Sequence, residues 1–142
     1  MTWLGLIVYG MIWSGSVTAA GPDPDLLRAI EQVESGGDPS AIGDEGKAVG
    51  ILQIHKVMVD DVNRIVGRKA YTYGDRFDAD KSREMFWIYS KHYTPSLDRE
   101  QVSRRWNGGP RGAEKSATVI YWLRVKSQIG ARPRNVSAHP VS

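Results

Sequence analysis

Two acids, Glu34 and Asp44, punctuate the glycine-rich stretch VESGGDPSAIGDEGKAVGILQI. A carboxylic acid donates a proton near neutral pH only when its pKa is raised, most often by burial against apolar neighbours. Glu34 directly follows Val33 and lies one helical turn beyond Ile30, so a helix through this segment carries it to the edge of an apolar stripe. The plainer reading is a solvated glutamate at a helix end, where negative charge is poorly placed for the helix dipole. Asp44, between Gly43 and Glu45-Gly46, reads by itself as a turn aspartate.

Downstream, GILQI places one amide, Gln53, in an apolar run, and a buried glutamine needs its hydrogen bonds met by backbone or ligand. WNGGP sets Trp106 and Asn107 at a tight turn, an aromatic face beside an amide. That pairing suits neutral sugars, although a core tryptophan before a turn is the commoner arrangement. The three histidines, His55, His92 and His139, have no metal-ligand spacing, and the chain has no cysteine. No nucleophile elbow or phosphate-cradling loop is present, so neither metal nor cofactor is expected. RRWNGGPRG mixes arginines with an aromatic, superficially as a nucleic-acid surface does, but reads better as a solvated face beside a core residue.

The elements that must position these residues follow a helical period. PDPDLLRAIEQVES has Asp23 as N-cap and Pro24 in the first turn, with Leu26, Leu27, Ile30 and Val33 on one face. KVMVDDVNRIVG gives a second helix, with Val57 or Met58, Val62, Ile65 and Val66 inward and Gly67 as its stop. YTYGDR reads as a loop. FDADKSREMFWIYSKHY starts at an Asp78 cap and presents Met85, Phe86, Tyr89 and Tyr93, and SLDREQVSRRW is a short helix ending at NGGP. AEKSATVIYWLRVKSQIG is the last helix, with Val119, Trp122, Leu123 and Val125 as its face.

The 142 residues suit a single domain, mainly α, spanning 21–130, with a glycine-rich loop or small β element at the site. Residues 1–20 carry no charged side chain and end in small residues, a pattern expected of a cleaved signal peptide or a membrane anchor. The tail 131–142 has two prolines and no apolar period, and is expected to be disordered. A net charge of +3 suits an anionic polymer without singling one out.

Taken together, four of these segments resemble the lysozyme-like soluble lytic transglycosylases and the related goose-type lysozymes. AIEQVESGGDPSAIG is similar to a first motif ending in Glu-Ser, at Glu34 and Ser35. AVGILQI is similar to Gly-Leu-Met-Gln-Ile, and RWNGGP to Ala-Tyr-Asn-Gly with Trp106 in place of tyrosine. ATVIYWLRV resembles a Thr-x-x-Tyr helix segment, at Thr118 and Tyr121.

The resemblance implies a monomeric, exported enzyme (secreted, periplasmic or held in the cell envelope) that cleaves the β-1,4 bond between N-acetylmuramic acid and N-acetylglucosamine in peptidoglycan. Glu34 would be the general acid, and Ser35, Gln53, His55, Trp106, Asn107 and Tyr121 would serve the sugar. Nucleic acid is not expected as a partner, and membrane association only through residues 1–20. In the transglycosylase route Glu34 then acts as base while the muramic C6 hydroxyl closes a 1,6-anhydro ring. Asp44 matches a goose-type aspartate that helps hold an attacking water, whereas the second such aspartate is replaced by His55. Hydrolysis by inversion needs two carboxyl groups about 6.5–9.5 Å apart, so both routes stay open. A non-catalytic wall-binding module and a chitinase-type glycosidase are the alternatives.

Overall fold

A computed structural model describes residues 23–131. The expected leader or anchor at 1–20 lies outside the described residues, as does all but the first residue of the expected tail.

The first helix, α1 (Pro24–Ser35), is capped by Asp23, whose carboxylate accepts from the backbone N–H groups of Asp25 and Leu26. Its buried residues are Leu26, Ala29, Ile30 and Glu31, with Leu27 and Val33 only partly covered. The apolar stripe therefore sits slightly round from the expected face. The unexpected member, Glu31, is tolerated inside because Arg83 donates to it at 2.7 Å, tying this helix to the third. The chain leaves α1 through Gly36, at φ 68°, a left-handed conformation that glycine adopts without a Cβ penalty.

The glycine-rich stretch folds as a short antiparallel hairpin, β1 (Ile42–Gly43) with β2 (Ala48–Val49), pairing Ile42 with Val49 and Gly43 with Ala48. A 3-10 turn over Asp44–Gly46 joins the strands, and a bridge from Val49 to Ile54 folds GILQI back on them. Helix α2 (Lys56–Val66) follows and stops at Gly67. Its buried positions are Val59 and Val62, with Met58 packed alongside, whereas Val57 is 72 % exposed and Val66 lies at the surface. The helix has apolar side chains on more than one face, so periodicity alone did not select the inward one.

YTYGDR, expected as a loop, winds into a 3-10 turn over Tyr73–Phe77, closed by a capping box between Thr72 and Asp75. Helices α3 (Ala79–Tyr93) and α4 (Arg99–Gly108) begin at the caps Asp78 and Asp98. The last helix, α5 (Thr118–Gln128), starts later than expected because residues 112–114 form a separate 3-10 turn. Gly112 passes so close under α4 that a Cβ there would meet the Arg104 carbonyl oxygen at 2.1 Å. The buried face of α5 is Thr118, Tyr121 and Val125, while Leu123 is 56 % exposed and Val119 also reaches solvent. Polar Thr118 takes the inner place by donating to the Gly112 carbonyl and accepting from Arg104.

Helix α5 packs on α1 and α4, and α2 on α3. Phe86, Leu26, Ile30, Leu52 and Ile54 are fully buried between them, so GILQI supplies core side chains and cleft wall at once.

Candidate active site

Glu34 occupies the last turn of α1, where Gly36 ends the helix. The Tyr121 hydroxyl, brought by α5, donates to Glu34 Oε1 at 2.6 Å. Trp106 from α4 closes the same side, fixed edge-on against Phe86 with ring centroids 4.8 Å apart. Burial among these groups pushes the Glu34 carboxyl up to about 6, partly opposed by the Tyr121 hydroxyl, the Arg124 charge and, more weakly, Trp106. Burial, reinforced by the neighbouring Glu34 charge, holds Tyr121 well above the ordinary tyrosine range, so its hydroxyl stays a donor.

Further lining comes from GILQI and from the hairpin. Asp44 and Glu45 at its turn, and Gln53 in GILQI, hold φ values of 46°, 54° and 50°, in the left-handed region that non-glycine residues seldom enter. Such backbone persists only where its surroundings over-determine it. Here the Gln53 amide does much of that work: its Nε2 donates to the carbonyls of Gly50 at 3.0 Å and Ala41 at 3.3 Å. Its Oε1 fills the space beside Gly43, where a Cβ would meet it at 2.3 Å. The amide nitrogen is thus satisfied by backbone, one of the two outcomes its burial left open. Asp44 Oδ2 lies 3.6 Å from His55 Nε2, both side chains about half exposed.

Between the walls runs a cleft of about 790 Å³. It brings together six of the sequence-derived candidates: Glu34, Asp44, Gln53, His55, Trp106 and Asn107. Ser35 and Tyr121 do not line it. The Ser35 hydroxyl donates to the Ile51 carbonyl at 2.7 Å and accepts from the Asp38 N–H, stitching the end of α1 to GILQI. Its observed bonds form a structural tie. Tyr121 reaches the cleft only through Glu34.

The far end of the cleft was not foreseen. Asp61 and Arg64 from α2 and Tyr89 and Tyr93 from α3 line it. Tyr93 donates to Asp61 at 2.8 Å and accepts from Arg64 at 2.9 Å, and Arg64 in turn binds Asp61 at 2.6 Å. Both tyrosines had been assigned to the core stripe of α3, and Tyr89 is indeed buried there. The available signal was the Asp61–Arg64 pair at i,i+3 on α2; its tyrosine partner comes from α3 and has no signal in spacing.

Chemically, one wall presents a carboxyl that stays protonated in mildly acidic solution, with one oxygen already engaged. The other presents a carboxylate and an imidazole beside open space. A raised-pKa carboxyl in a cleft also lined by Tyr89, Tyr93 and Trp106 is chemically suited to glycoside cleavage.

No curated protein matches the chain. The family model described as the Transglycosylase SLT domain does, over residues 11–116, a span that holds α1 to α4 and stops short of α5. The chain therefore belongs to the SLT lytic transglycosylases, a family of lysozyme-like helical domains that act on peptidoglycan.

Proposed function

We propose that this chain is an exported muramidase-type enzyme that cleaves the β-1,4 bond between N-acetylmuramic acid and N-acetylglucosamine, with Glu34 as the proton donor. The observation that carries the reading is the Glu34 carboxyl itself, raised to about 6 by burial in a wall of the cleft and held at Oε1 by Tyr121. With Oε1 engaged, Oε2 is the oxygen that carries the proton to the glycosidic oxygen. The C1–O bond then breaks, leaving positive charge on the sugar ring and a carboxylate on Glu34.

Two routes complete the reaction. The muramic C6 hydroxyl attacks C1 and passes its proton to Glu34, giving a 1,6-anhydro end, or water attacks C1, passes a proton to Asp44 or His55, and gives a reducing end. The Asp44–His55 pair, lining the same cleft, favours a share for water, since either group can accept hydrogen bonds from it. The uncharged leader sequence supports export to where such a substrate lies.

Glu34→Gln is expected to abolish solubilisation of purified peptidoglycan while the protein stays folded. A folded variant that still clears the wall would overturn the assignment. Mass spectrometry of the wild-type products separates anhydro from reducing ends, and pull-down without solubilisation would identify a wall-binding module instead.

A further inference from the structure

Arg76 is a cation in the interior, only 5 % exposed. Its three hydrogen bonds all go to backbone carbonyls: Nε to Tyr73 at 2.8 Å, and Nη1 to Ile54 at 3.1 Å and Lys47 at 3.2 Å. None of the ion pairs among the described residues includes it. Burial lowers its pKa, yet a guanidinium keeps its proton at any working pH. An unpaired interior charge is costly, which makes its choice of acceptors informative.

Those acceptors bracket the second wall of the cleft. Lys47 closes the turn that begins at Asp44, to whose carbonyl its N–H donates at 3.0 Å. Ile54 immediately precedes His55. One guanidinium nitrogen therefore joins the end of the turn that carries Asp44, at Lys47, to Ile54, the residue next to His55. The Arg76 backbone contributes too: Gly50 lies against its carbonyl oxygen so closely that a Cβ would sit 1.9 Å away, and Ser82 donates to that oxygen at 3.0 Å.

We infer that Arg76 is a positioning residue, which sets the approach of Asp44 to His55 by bridging Lys47 and Ile54 and so governs how much of the cleaved glycan is captured by water. This rests on the reading above that the Asp44–His55 pair serves water. A lysine keeps the charge but not the planar fork that reaches the Tyr73 carbonyl through Nε and the other two through Nη1.

The test measures kcat, KM and the ratio of reducing to anhydro ends on soluble glycan fragments. It compares wild type, Arg76→Lys, Asp44→Asn and the double variant, with melting curves and the His55 ring ¹⁵N signals of wild type and Arg76→Lys. Expected for folded Arg76→Lys are a rate of reducing-end formation about tenfold lower with the anhydro rate spared and KM nearly unchanged, products shifted towards anhydro ends, and moved His55 signals. In the Asp44→Asn background the same change should cost almost nothing, because coupled residues are non-additive. A wild-type rate and product ratio in Arg76→Lys, or a loss undiminished in the Asp44→Asn background, overturns the positioning role alone. Wild-type products in Asp44→Asn, or purely anhydro ends from the unmutated enzyme, overturn the water reading on which it stands. Arg76→Met, which removes the buried charge, adds a larger loss of the same kind where it folds; Arg76→Lys carries the test where it does not.

Discussion

The two walls of the cleft hold their acids by opposite means. Glu34 sits on regular helix, and its chemistry comes from what is packed around it: Tyr121, Trp106 and the apolar face of α1. Asp44 sits half exposed on left-handed backbone, and its placement comes from the chain beneath it: Gln53, Gly50 and Arg76. Packing changes what a group is, by moving its pKa; backbone constraint changes where a group is, and leaves it solvated. The proposed reaction calls for one protonated donor and one water-accessible acceptor, and the two walls differ in that sense.

The sharpest way to break this contrast is Glu34→Gln, expected to lower kcat by about a thousandfold or more, the scale of losing a general acid. The same substitution should make the protein more stable in alkaline solution. Because its folded pKa lies above the ordinary value of 4.5, Glu34 contributes stability below pH 4.5 that is lost as pH rises through about 6. The loss amounts to about 2 kcal/mol, so Glu34→Gln should melt higher than wild type at pH 8 and by a shrinking margin towards pH 4. Equal melting temperatures at pH 8 would mean that burial does not strain the carboxylate. Activity should follow the same group, falling as pH rises through about 6.

Gly50→Ala attacks the other wall. At φ 80° and with 1.9 Å to the Arg76 oxygen, the added methyl should cost on the order of 3 kcal/mol, read as a lowered denaturation midpoint. Asp44→Asn is gentler: about a tenfold loss of reducing-end product with the anhydro product spared, measured by mass spectrometry of the digest. The smallest effect is Tyr121→Phe. Removing a donor that favours the charged form should move the alkaline limb of the pH–rate profile upward by less than about one pH unit, with kcat reduced several-fold. A downward movement would show that the hydroxyl acts otherwise.

The helices were legible because their signals are local. Asp23, Asp78 and Asp98 cap as side chains with short polar arms do, and Gly36 and Gly67 end helices in left-handed conformations. The inward faces of α2 and α5 were less so. Apolar residues surround both, and which side is covered depends on neighbours distant in sequence: Val59 in place of Val57, Tyr121 in place of Leu123. Glu34 and Asp44 stood out by residue type, yet neither the raised pKa of one nor the 3.6 Å approach of the other to His55 follows from spacing. Arg76 was hidden in a segment that reads as loop, since a cation buried on carbonyls has no pattern in one dimension. Asp61, Arg64 and Tyr93 were individually ordinary; only the packing of α2 on α3 makes them one network at the cleft.

The bond from Tyr121 to Glu34 spans 87 positions and joins the first described helix to the last. Its consequence belongs to biosynthesis. While the chain is emerging from the ribosome, α1 precedes α5, and Glu34 is an ordinary solvated glutamate, ionised near neutral pH. On the proposed reading, the proton donor comes into being only when α5 closes on α1, so cleavage of a glycan waits for that contact.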